Sequence, residues 1–101
     1  MNMELRQFDP SRHLDSEEAI AMYLEEIIEE DPGMLAIALG DVARARGMTE
    51  LAEKTGLARE SLYQALSENG NPTYSTIRKI LDAFGVRLSI KPQHSSVSAA
   101  V

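Results

Sequence analysis

An outward row of Arg59, Glu60, Tyr63, Gln64 and Ser67 is where side-chain types and spacing in this chain could do chemistry. The intervals place all five on one face of a helix. A helical face of that composition offers donors and acceptors of the kind that meet base edges in a DNA major groove. Other constellations offer less. The pairs Glu25-Glu26 and Glu29-Glu30 resemble cation ligands only superficially, because the Gly-containing loop of oxygen ligands that a calcium site uses is absent. His13 and His94 are isolated, each at an irregular end. No metalloprotease helix motif, phosphate loop or Ser/His/Asp arrangement is present. The expectation is a binding protein, with no catalytic residue, no metal and no cofactor.

Residues 48–67 supply the elements that would position this row. They read as two short helices, about 49–55 and 59–67, joined by a corner at Gly56, Leu57 and Ala58. Gly56 stands where a left-handed backbone ends the first helix at least cost. Ala52 is small where the second helix crosses, and Leu57, Leu62 and Leu66 turn inward. Their inward turn leaves the polar row facing out, which is the arrangement of a helix-turn-helix.

The flanks complete an all-α reading of about five helices with a short C-terminal β-strand. Asp15 or Ser16 caps a helix whose Ile20, Tyr23, Leu24, Ile27 and Ile28 keep helical spacing opposite Glu18, Glu25, Glu26, Glu29 and Glu30. Asp31 and Pro32 open a second helix with an apolar face through Met34, Leu35, Ala38, Leu39, Val42 and Ala45, and Gly47 stops it. After the corner, Glu68 to Pro72 form a loop with Gly70 available for positive φ. Thr73 or Ser75 then starts a helix with Ile77, Ile80, Leu81 and Phe84 inward, ended by Gly85. Val86, Leu88 and Ile90 alternate with Arg87, Ser89 and Lys91, the pattern of a strand stopped by Pro92. Such a strand needs a pairing edge, from the N-terminal segment (Met3, Leu5 and Phe8, before a turn at Asp9, Pro10 and Ser11) or from a second subunit. The expected organisation is a leader over 1–31, a DNA-binding domain over 32–91 and a flexible tail over 92–101.

Charge divides the chain the same way. Residues 1–40 carry ten acids against two bases, a net −8, while residues 41–101 carry six acids against eight bases, a net +2. Two surfaces with different partners follow from that asymmetry, or else a solvated acidic face that aids solubility. Glu29, Glu30 and Asp31 oppose the dipole at the end of their helix, which favours a charged partner. The apolar stripe beneath them either meets that partner or packs on the domain core. The absence of Cys suits a reducing cytoplasm. No apolar run approaches the roughly 20 residues of a membrane span, and the acidic N-terminus is unlike a signal peptide.

Residues 48–67 resemble the Cro/repressor-like (XRE-type) helix-turn-helix of phage and bacterial regulators, with a lambda-repressor-like fold. With the flanks LGDVARARGM, GLARESLYQAL, ENGNP and FGVRLSI and the leader DSEEAIAMYLEE, the chain resembles the HigA-like antidotes, the antitoxins of toxin–antitoxin modules, over about Phe8 to Lys91. The resemblance implies a homodimer that represses its own operon and silences a neighbouring toxin of the RelE/ParE superfamily. Such toxins handle RNA and are usually basic, which suits the acidic helix carrying Ile20, Tyr23, Leu24, Ile27 and Ile28. Carried over, Arg59 would pair with guanine O6 and N7 and Gln64 with adenine N6 and N7, while Glu60 would accept from cytosine N4 or orient Arg59. Tyr63 would reach a phosphate or thymine methyl, or pack under the loop. Asn69, Gly70, Asn71 and Thr73 would approach the sugar-phosphate backbone, positioning the domain on operator DNA. Ser67, Lys54, Arg44 and Arg46 are further phosphate candidates. Two departures stand out: Met48 replaces a phosphate-clamping Gln, and Ala58 replaces a capping Ser, worth about 1 kcal/mol. The alternatives are a phage-type repressor without a toxin and a protein–protein adaptor that has lost DNA binding.

Overall fold

The computed structural model describes residues 14–93. The N-terminal extended segment, the Asp9–Pro10–Ser11 turn, His13, His94 and nearly all of the tail lie outside the described residues. The described chain is helical: α1 (Glu17–Glu30), a 3-10 turn (Pro32–Met34), α2 (Leu35–Arg46), α3 (Met48–Thr55), α4 (Arg59–Ala65) and α5 (Tyr74–Phe84).

Ser16 rather than Asp15 caps α1, its hydroxyl accepting from the Ala19 N–H at 3.1 Å. Asp31 caps as expected, accepting from the Gly33 N–H at 3.1 Å, but what it caps is the tight 3-10 turn, and α-helix begins only at Leu35. Bending the chain there lets α2 fold back against α1. Thr73 caps α5 by accepting from the Thr76 N–H, and Gly85 ends it in the left-handed conformation.

One core draws on every helix, with Ile20 and Leu24 from α1, Leu39 and Val42 from α2, Leu51 from α3, Leu62 from α4, and Ile80, Leu81 and Phe84 from α5. Burying each such side chain stabilises the fold by roughly 1.5–3 kcal/mol. Leu14 belongs to the same core at 1 % exposure, although nothing in the pattern around it announces this. Arg46 donates to the Leu14 carbonyl at 3.3 Å and so ties the end of α2 to the entry of α1. Gly40 sits where α2 meets the end of α4, and a Cβ there would come within 2.9 Å of the Leu66 carbonyl oxygen.

The strand expected over 86–90 is not formed among the described residues, where 86–93 has no regular secondary structure. Alternation alone does not make a strand. It needs a neighbouring edge, and no backbone hydrogen bond among the described residues engages 87–91.

Candidate functional site

The α3–α4 corner sets the orientation of the polar row. Gly56 has φ +78, and its N–H donates to the Ala52 carbonyl at 2.9 Å. The Thr55 hydroxyl strengthens the corner, donating to the Leu51 carbonyl at 2.8 Å while accepting from the Leu57 N–H at 3.2 Å. Thr55 escapes pattern reading because a β-branched polar residue at a helix end carries no periodic signal. Leu62 is wholly buried and Leu66 nearly so, with Leu57 packed against the core, so the inward side of α4 is as the spacing predicts. Ala58 stands at the N-cap and offers no side-chain bond.

Arg59, Glu60, Tyr63, Gln64 and Ser67 are all exposed on the opposite side. Arg59 is held rather than loose. Its Nη2 donates to the Tyr63 hydroxyl at 3.2 Å, and its guanidinium carbon lies 5.6 Å from the centre of the Tyr63 ring. A cation over an aromatic face gains about 0.5–1 kcal/mol at an exposed site. The contact biases the guanidinium's direction and leaves its other donors unused among the described residues. No ion pair joins Glu60 to Arg59 among the described residues, so Tyr63 is the residue that orients the arginine.

α4 is two residues shorter than its pattern suggests. Ser67 lies past the helix, its hydroxyl donating to the Gln64 carbonyl at 2.8 Å. Gly70 is required for a reason other than the one expected: among the described residues, positive φ occurs at Gly47, Gly56 and Gly85, not at Gly70. The loop instead passes so near the end of α4 that a Cβ at Gly70 would overlap the Gln64 carbonyl oxygen at 2.6 Å and that of Ala65. Close approach, not handedness, excludes a side chain. Asn69 and Asn71 are exposed beside it, and Thr73 spends its hydroxyl on the α5 cap, accepting from the Thr76 N–H and donating to Thr76 Oγ1, each at 3.2 Å. The additional basic candidates have partners, with Lys54 3.3 Å from Glu50 and Arg44 3.0 Å from Asp41. Exposed pairs of this kind contribute little and exchange readily. Met48 is 6 % exposed and part of the core, so its identity answers to packing.

The second candidate surface is α1. Ile20 and Leu24 are buried in the chain's own core, while Tyr23, Ile27 and Ile28 are half-buried. A partner reaches Ile20 and Leu24 only if α1 lifts away. Tyr23 donates to Asp41 Oδ2 at 2.9 Å, and Arg44 donates to Asp41 Oδ1 at 3.0 Å, a polar link between α1 and α2. Burial, and then the adjacent Asp41 carboxylate, push the Tyr23 phenol above its ordinary range, so it stays protonated. Outside the stripe, Met22 is 70 % exposed among the carboxylates. Lys91 lies 3.6 Å from Glu25 and 3.5 Å from Glu29, placing a base from the far end of the chain where the dipole of α1 wants one.

These two surfaces acquire a context from known proteins. The model of a family described as "probable addiction module antidote protein" matches residues 4–92. The chain belongs to this family. It is also 46 % identical over 92 residues to a protein of Haemophilus influenzae (strain Rd) described as uncharacterized, covering 90 % of this chain and 95 % of that one. No solved structure matches. An antidote has a toxin as its partner in general, so a protein-binding surface is to be sought on this one besides any other. No helix among the antidote's described residues is long and apolar enough to cross a membrane.

Proposed function

We propose that this antidote is the antitoxin of a type II toxin–antitoxin module, neutralising a RelE/ParE-superfamily toxin and repressing its own operon as a homodimer in the cytoplasm. On this reading 32–91 is a lambda-repressor-like, HigA-like helix-turn-helix domain that lays α4 in the major groove of operator DNA. It works by binding rather than by catalysis. The observation that carries the reading is Arg59 braced on Tyr63 at the head of an exposed polar row. An arginine with its direction already biased loses less freedom on pairing with guanine than a free one would. Gln64 and Glu60 complete the base-reading face, and Asn69 and Asn71 meet the backbone.

The toxin falls to α1. With Ile20 and Leu24 occupied in the core, the face offered to a basic toxin comprises Met22, Glu26 and the neighbouring carboxylates, with Tyr23, Ile27 and Ile28 at its margin. Met48, part of the core, is accounted for by packing, and the reading does not draw on it for a phosphate contact.

Co-expression with the neighbouring reading frame tests the antitoxin reading. The neighbour alone should arrest growth, and the antidote should restore growth and co-purify with it. A neighbour that is harmless and unbound would reduce the chain to an autonomous, phage-type repressor.

A further inference from the structure

The segment after α5 has the alternation of a strand without the pairing edge a strand needs. It is anchored at both ends. The Val86 N–H donates to the Leu81 carbonyl at 3.0 Å, and Lys91 meets Glu25 and Glu29 on α1. Between these anchors the backbone of 87–90 makes no hydrogen bond among the described residues. Ile90 is 100 % exposed and Leu88 42 % exposed. Alongside runs a groove of about 230 Å³, lined by apolar residues including Leu24, Ile28, Leu81 and Val86 and by the charged Glu25, Glu29 and Lys91. Unpaired backbone, a fully exposed isoleucine and an adjoining, partly apolar groove together mark an edge that lacks its partner.

We propose that this edge joins two copies of the chain, as an antiparallel pair of 86–90 segments about a two-fold axis at Leu88. The inference rests on the homodimer reading above and gives that reading a surface. A second copy is the occupant because the segment is complementary to itself in one register only. In an antiparallel pair, directly opposed residues share a face. With the axis at Leu88, Leu88 meets its own twin, Val86 meets the partner's Ile90, and Arg87 meets the partner's Ser89. Apolar faces apolar, and no like charges oppose. Moving the axis to Ser89 would set Arg87 against the partner's Lys91 and Val86 against the partner's Pro92, which has no N–H to give. Moving it to Arg87 would set that arginine against itself. In the favoured register the partner's Ile90 lies opposite Val86, which lines the groove, so the exposed side chain and the open groove cover each other. The interface is isologous, as a closed dimer requires.

The chain contains no cysteine, so single cysteines report the register cleanly. The full chain is measured for mass in solution as wild type and Ile90→Lys, and Leu88→Cys and Ser89→Cys are oxidised mildly. The proposal expects a wild-type dimer, a dissociation constant raised more than about tenfold by Ile90→Lys, and cross-linking at Leu88→Cys but not at Ser89→Cys. Opposed residues lie within disulfide reach, whereas residues offset by two do not. Ile90 is fully exposed and packs on no helix among the described residues, so Ile90→Lys should keep the wild-type helical spectrum. A dimer that ignores Ile90→Lys and fails to cross-link at Leu88→Cys overturns the surface while the homodimer reading survives. Cross-linking at Ser89→Cys in its place overturns the register, and a monomer at every concentration overturns surface and homodimer together.

Discussion

α1 runs 14 residues and buries Ile20 and Leu24, while α4 runs seven and buries Leu62 alone. On α1 the apolar stripe is taken up by the chain's own core, and what remains outside is almost entirely of one charge. On α4 the inward side is minimal, and the outside carries a donor-rich row of mixed character with one arginine already braced. A single-sign face attracts a partner of opposite charge without demanding a register, which suits a protein surface. A mixed row at fixed spacing demands a register, which suits a base sequence. Amphipathicity is common to both helices, so the character of the exposed face, not the existence of an apolar stripe, separates the roles proposed for them.

That contrast can be broken most forcefully at the stripe. Leu24→Ala should cost about 2–5 kcal/mol of stability by the cavity it leaves, whereas Met22→Ala, two residues away on the exposed side, should stay within about 0.5 kcal/mol. Urea unfolding of the two variants measures both. Equal and small effects would mean that α1 does not belong to the core and that its stripe is free for a partner.

A smaller effect is expected where α1 meets α2. Tyr23→Phe removes the bond to Asp41 and should cost about 0.5–1.5 kcal/mol at neutral pH, with Asp41 still held by Arg44. Its pH dependence has a definite sign. The phenol is raised in the folded state, so this contribution is complete below the ordinary tyrosine value of about 10 and declines as pH rises beyond it, because the unfolded chain then releases a proton that the fold retains. Thermal melts above pH ~10 should therefore fall less steeply for Tyr23→Phe than for the wild type. Parallel curves would contradict the buried bond.

The same residues show what the amino-acid sequence reveals and what it withholds. Leu62, Leu66 and Gly56 were legible because burial and helix termination leave periodic or residue-specific marks. Leu14 was not, since a single buried leucine before a cap has no period. Gly70 suggests a turn conformation in the sequence, whereas its need for space depends on where α4 ends, a tertiary fact. Alternation over 86–90 suggests a strand, but pairing depends on an edge that lies elsewhere. The brace of Tyr63 on Arg59 spans one helical turn, yet the sequence does not single it out, because the acid and the phenol beside Arg59 suit the role equally.

The central proposal is that α4 reads DNA through Arg59. The direct measurement is titration of the full chain into a labelled duplex from its own promoter, for the wild type and Arg59→Ala, beside a scrambled duplex at the same salt. The expected result is preference for the promoter, weakened by about 1–3 kcal/mol in Arg59→Ala with relaxed selectivity at one base pair and an unchanged melting temperature. Equal affinity for promoter and scrambled duplex, or an Arg59→Ala variant that binds as the wild type does, would contradict it.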